Sequence, residues 1–271
     1  MKTKTTRLTL AALTCAALIN CATPAFADET QFPTPEYFKR TWGDLKELPT
    51  KPFHWDKKDW LIAGGVVGAS FSCFIFDGTV SRFFDTHKSH FLDEVSGATT
   101  HFGDYKMQLP IFLGTWSVGI ATKSPTLQKI AGDGLEASLF AAGLITPLIV
   151  LTSGRNLPEE HEDPMKFKPF TRGRYSYPSG HTTEAFAMAT VIDQNLRKHF
   201  GYWHTPIVYA FATGTAFSRV YDQKHYVSDI VLGAGIGWAV GYWVANKPRD
   251  VAKQNVFLLP SSNGATMLVR F

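Results

Sequence analysis

Tyr177-Pro178-Ser179-Gly180-His181-Thr182-Thr183 is the stretch from which the chain is best read. Its companion is Ser218-Arg219-Val220-Tyr221-Asp222-Gln223-Lys224-His225-Tyr226-Val227-Ser228-Asp229. A helix is predicted to begin at the two threonines, with an apolar pattern running from Thr183 to Leu196. The free N–H groups and dipole at such a helix start attract an anion, and Gly180 lets the backbone approach it closely. Ser179 adds a hydroxyl donor, and His181 is placed beside the anion as a proton donor. In the second block Asp229 lies one helical turn beyond His225, so both share a face. A carboxylate on one ring nitrogen leaves the other free to attack an electrophile. Arg219 precedes His225 by six residues and offers a planar fork for two oxygens. A capping turn and a structural His–Asp pair explain each block singly, but not both at this spacing.

Outward from these blocks, apolar stretches alternate with loops. Leu61–Phe76, Leu109–Ala121, Leu135–Leu151, Thr183–Leu196, Ile207–Phe217 and Ile230–Ala245 are predicted helices by length and by Ala and Gly content. The fold expected is all-α, a helical bundle with its site at one end. Gly64, Gly65 and Gly68, and likewise Gly233, Gly235, Gly237 and Gly241, predict helices that approach closely. Most runs stop at about 11–17 residues, short of the ~20 a membrane span wants. Mean hydropathy is only −0.06. A soluble exported bundle is therefore expected, with integral membrane insertion the less favoured state and residues 230–245 the best membrane contact. Ser153 to Pro178 reads as a long functional loop, and Val256 to Phe271 as short strands or an extended tail.

The first 27 residues read as a secretory signal. Lys2, Lys4 and Arg7 precede the apolar run Leu8–Ile19, and Ala25-Phe26-Ala27 offers a cleavage site. A lipoprotein site at Cys21 is the alternative, poorly served by Asn20. Cleavage removes Cys15 and Cys21 and leaves Cys73, so no intramolecular disulfide is expected. The domain layout expected is a signal peptide at 1–27, an N-terminal arm at 28–58, a helical domain at 59–248 and a C-terminal tail at 249–271. Net charge is +4, of which three units lie in the signal, leaving 4 − 3 = 1. So slight a bias implies no nucleic-acid partner.

The two blocks resemble the type 2 phosphatidic acid phosphatase and vanadium haloperoxidase superfamily. Its second motif is matched by Pro178 to His181 and its third by Ser218 to Asp229. The resemblance implies that His225 is the nucleophile, Asp229 its orienting partner and His181 the acid for the leaving oxygen. Ser179, Gly180 and Arg219 would hold the phosphoryl group. The first motif, Lys, six residues, then Arg-Pro, is damaged. Its remnant is Thr152-Ser153-Gly154-Arg155-Asn156-Leu157-Pro158, which lacks the Lys and keeps Arg155 as its one cation. A lost cation opposite a phosphoryl group costs ~2–4 kcal/mol of transition-state stabilisation unless replaced. Arg172 and Arg174 are the candidate replacements.

Asp85, His87, His90, Asp93 and Glu94 have metal-ligand chemistry but no recognised metal spacing, so no metal is expected. The phenylalanines are expected in the core, with a share lining a groove for a lipid tail. The function implied is metal-independent hydrolysis of a phosphomonoester or pyrophosphate outside the cytoplasm, through a phosphohistidine and without a cofactor. A phosphorylated small molecule or lipid phosphate is the partner, with membrane-surface contact. Two alternatives stay open. One is a family member that has lost turnover and serves as an envelope binding protein. The other is a haloperoxidase, for which vanadate would be the cofactor.

Overall fold

The computed structural model describes residues 32–161, 163–171, 173, 175–247, 256–261 and 264–269, with the side chain of Lys198 excepted. The expected signal at 1–27 lies outside them. Nine α-helices are present among the described residues. The arm supplies α1 (Pro35–Glu47), followed by a 3-10 stretch at Leu48–His54. The bundle comprises α2 (Lys57–Thr86), α3 (His90–Thr99), α4 (Tyr105–Ala121), α5 (Pro125–Phe140), α6 (Thr146–Ser153), α7 (Gly180–Phe200), α8 (Thr205–Tyr221) and α9 (Val227–Asn246). A π turn at Ala141–Ile145 joins α5 to α6 just before Pro147. Pro147 has no N–H for the carbonyl four residues back and its ring crowds that carbonyl, and the wider turn absorbs both. Two antiparallel strands, β1 (Val256–Ser261) and β2 (Gly264–Val269), pair Val256 with Val269 and Ser261 with Gly264.

All six predicted runs are helical, and each helix is longer than its apolar pattern suggests. Asp56 and Asp59 cap each other's backbone N–H at the start of α2 and let it begin before Leu61. It then continues past Phe76 to 30 residues. The run from α5 through the π turn to α6 is 29 residues, and α9 is 20. These three are long and apolar enough to cross a membrane. This corrects the expectation that membrane integration is the less favoured state: counting apolar runs missed the polar residues that extend each helix. The outward faces agree, since Leu61 and Ile75 on α2 are 76% and 79% exposed and Leu113, Leu148 and Leu151 are also exposed.

The closest helix pair is α7 against α9, and its cause is glycine. A Cβ on Gly233, Gly237 or Gly241 would fall 2.7, 2.2 and 2.6 Å from the carbonyl oxygens of Ser179, Thr183 and Ala187. No side chain fits, so α9 rests directly on the backbone of α7. The α2 glycines behave otherwise: around Gly64, Gly65 and Gly68 there is open space. The expectation of close approach thus holds for one glycine stripe and fails for the other. Ala137, Phe140, Ala187, Val191, Val240 and Val244 form the core between α5, α7 and α9.

The arm packs at the end of the bundle away from His181. Tyr37 donates to the Gly132 carbonyl at 2.8 Å, and Trp116 donates to the Phe32 carbonyl at 2.9 Å. Arg40 and Lys247 both reach the buried Glu136, at 2.8 and 2.6 Å, and Lys247 also pairs with Asp44. The site lies at the opposite end of α9.

Candidate active site

Three elements meet at the site: the start of α7, the end of α8 and the loop into α9. Ser179 caps α7, its Oγ accepting from Thr182 N at 3.4 Å and Thr182 Oγ1 at 3.0 Å. Its own N–H donates to the Asp229 carbonyl at 3.1 Å, which ties the two motif blocks together through the backbone. A Cβ on Gly180 would meet only Thr146 Cγ2, at 3.8 Å, so protein packing does not require glycine there. Room for an approaching anion is what the missing side chain leaves.

His181 follows in the first turn of α7. Burial pushes its ring down to about 4, helped by Arg219 and His225 and opposed by Asp104. The three cation-forming groups therefore lie near enough for Arg219 and His225 to act on the His181 ring by charge. A phosphoryl dianion brought there would reverse the effect of Arg219 and His225 on the His181 ring. Arg219 donates from Nη1 to Thr100 Oγ1 at 2.8 Å, while its buried Nε has no partner among the described residues. Burial lowers the guanidinium, and Asp222, Asp104 and Glu159 oppose that shift.

His225 differs from expectation in its orienting contact. Its Nδ1 lies 2.8 Å from the Ser176 carbonyl, which only accepts, so that nitrogen carries the proton. Nε2 is then the unprotonated ring nitrogen that carries the lone pair. Asp229 Oδ2 stands 3.6 Å from Nδ1, beyond hydrogen-bond reach, and acts on the ring by charge. Asp229 is fully buried and held elsewhere: Oδ2 accepts from Tyr226 N at 2.8 Å and Oδ1 from Arg155 Nη1 at 2.6 Å.

Arg155 requires a correction. The remnant motif suggested a phosphate-binding cation, but its side chain is completely buried. Nε donates to the Pro164 carbonyl at 2.8 Å, Nη1 to Ser228 Oγ and Asp229 Oδ1 at 2.6 Å each, and Nη2 to Asp77 Oδ2 at 2.7 Å. The guanidinium also lies 4.3 Å from the Phe74 ring centroid and 4.2 Å from that of Tyr226. A turn at Gly154 aims it inward: φ is +58°, and a Cβ there would strike the Lys168 carbonyl at 2.0 Å. Arg172 and Arg174 lie outside the described residues.

Reading the sequence missed Asp77, Thr100, Ser176 and Ser228. Asp77 alone carried a signal, a carboxylate ending the apolar run Leu61–Phe76. Ser176 acts through its backbone, which residue identity does not report.

Comparison with known proteins agrees with this geometry. Residues 135–252 match the model of the PAP2 superfamily. Over 108 residues the chain is 35% identical to the lipid A 1-phosphatase of Porphyromonas gingivalis, covering 36% of this chain and 23% of that protein. Over 128 residues it is 27% identical to the lipid A 4'-phosphatase of the same organism, covering 45% and 53%. The chain thus spans about a quarter and about half of these two curated relatives. A transmembrane PAP2 type phosphatidylglycerolphosphate phosphatase from Bacillus subtilis has the same fold, with a TM-score of 0.50 at 22% identity over 68% of this chain and 91% of that one. The bundle, with one histidine at the head of α7 and another before α9, has the helical fold of that phosphatase. Over residues 135–252 the chain is thus similar to the PAP2 superfamily, the type 2 phosphatidic acid phosphatases.

Proposed function

We propose that the protein is a membrane-embedded lipid phosphate phosphatase of the cell envelope, working through His225 without a metal. The observation that carries this is the convergence of Arg219, His181 and His225 at the capped start of α7, with Nε2 of His225 free. Nε2 attacks phosphorus, an N–P bond forms and the P–O bond to the leaving group breaks. His181 gives its proton to the departing oxygen. Water then attacks the phosphohistidine, His181 takes a proton back, and inorganic phosphate leaves. The developing charge is met by Arg219 and by the N–H groups of α7. The names of the two Porphyromonas gingivalis relatives support a lipid phosphate as substrate. So does an apolar hollow of about 450 Å³ lined by Phe71, Phe74, Ile75, Met165 and Phe167, beside the Arg155 stack.

One observation favours the reading of a protein that has lost turnover: Arg155 is fully committed inside the fold. The test is phosphate release by the full chain in detergent, from a lipid phosphate and from a soluble aryl phosphate, with EDTA and with vanadate. Release from the lipid that persists in EDTA, stops with vanadate and vanishes in His225→Ala is expected. Lipid binding without release would favour the binding-protein reading, and loss in EDTA restored by a divalent cation would overturn the metal-free mechanism.

A further inference from the structure

Asp77 lies in no motif, precedes the family match by 58 residues and sits on a membrane-capable helix, yet it is 1% exposed and bonded to the base of the site. Its Oδ1 accepts from Ser228 N at 3.0 Å. Its Oδ2 accepts from Ser228 Oγ at 2.5 Å and from Arg155 Nη2 at 2.7 Å. Ser228 is the residue before Asp229, and Arg155 is the group that clamps Asp229 Oδ1. Asp77 therefore holds both handles on Asp229, one through the backbone and one through the guanidinium. Ser70, two turns earlier on α2, donates to the Ser228 carbonyl at 2.9 Å and fixes the same residue from its other side.

We propose that Asp77 and Arg155 are positioning residues for the nucleophile, acting through Asp229. The inference rests on the phosphohistidine reading above. Asp77, Arg155 and Asp229 together carry two negative charges and one positive, and the remaining negative charge faces the His225 ring. As Nε2 bonds to phosphorus the ring becomes cationic, and that charge stabilises it. Among the described residues, Asp229 from α9 stands 3.6 Å from the His225 ring, and His181 from α7 lies within charge range of both His225 and Arg219 of α8. Asp104, Asp222 and Glu159 act on His181 and Arg219, while Asp229 is the carboxylate within 4 Å of the His225 ring among the described residues, so what sets its charge and place sets the ring's reactivity.

The reading and the inference fail separately. Absence of turnover in the unaltered chain sinks the reading. With turnover present, Asp77→Asn is expected to lower kcat about 100-fold at a KM within about twofold of the original. The acid limb of its kcat/KM profile moves to lower pH, because less negative charge then favours a protonated ring. Damage to the fold alone would lower the active fraction and leave the limb in place, and that result overturns the proposal. The double variant Asp77→Asn/Arg155→Gln removes one charge of each sign, so it keeps the test open should the single variant not fold. Its acid limb is expected back at the original pH with kcat still reduced about tenfold or more, since Asp229 is no longer clamped. A double variant with kcat within twofold of the original overturns the role of both residues.

Discussion

The two ends of α9 each hold a buried ion network, and they are built differently. At the arm end, Glu136 and Asp44 meet Arg40 and Lys247, two carboxylates with two cations among the described residues. At the site end, Asp77 and Asp229 share Arg155, and among the described residues no second cation lies within hydrogen-bond distance of either carboxylate. A balanced network satisfies itself and serves to dock the arm. An unbalanced one leaves a field, and here the field points at His225. Burying charge costs several kcal/mol per ion after relaxation, so the two arrangements draw on different compensation. The arm network is offset by its own partners. In the proposed mechanism, the site network is offset in part by the imidazolium formed at His225.

The comparison can be broken most severely at the nucleophile. His225→Ala is expected to lower turnover by about 10⁴-fold or more and to abolish any phosphoenzyme trapped by acid quench. Wild-type phosphoenzyme levels in that variant would reassign the nucleophile.

The arm end should answer in stability instead. Glu136→Ala removes the buried carboxylate that Arg40 and Lys247 both reach, leaving them to Asp44, and is expected to cost about 3 kcal/mol. The loss is read as a lower midpoint of thermal unfolding in detergent, with kcat/KM of the folded fraction unchanged. A large drop in kcat/KM at full stability would show the two networks to be coupled along α9.

His181→Ala sharpens the contrast within the site. The loss is expected to be about 100-fold on alkyl or lipid phosphates and much smaller on aryl phosphates with good leaving groups. Equal losses on both would remove the proton-donor role.

The smallest effect is a pH dependence of stability. The His181 ring in the folded protein titrates near 4, against an ordinary value of 6.5. The unfolded chain therefore takes up the proton first as pH falls, and acid favours unfolding. Stability contributed by the neutral ring is present above about pH 6.5 and is lost as pH falls toward 4, to the extent of about 1–2 kcal/mol. A variant carrying Asn at 181 should lack that slope. If it unfolds with the same pH dependence as the original, the slope belongs to other groups.

The histidines and Arg219 were legible in the sequence because their chemistry is local. A capped helix start, a glycine and a histidine form an anion site wherever they occur together, and one helical turn puts Asp229 on the face of His225. Arg155 was legible as a residue and misread as a role. Whether a guanidinium meets substrate or lies buried depends on the direction of the chain at Gly154, which the Lys168 carbonyl enforces from fourteen residues away. Asp77 was hidden because its partners, Arg155 and Ser228, lie 78 and 151 residues further along the chain.

The sequence by itself determined six helices and a glycine stripe on α9 that allows close approach. Periodicity, glycine spacing and capping are properties of neighbouring residues, so they can be read without a fold. Only the tertiary structure decided that α2 and the α5–α6 run are long enough for a membrane, that the Ser176 carbonyl sets the His225 tautomer, and that Arg155 serves Asp229. Each of these depends on which distant groups come to share a low-dielectric space. There a charge or a ring nitrogen takes its role from its partners rather than from its place in the chain.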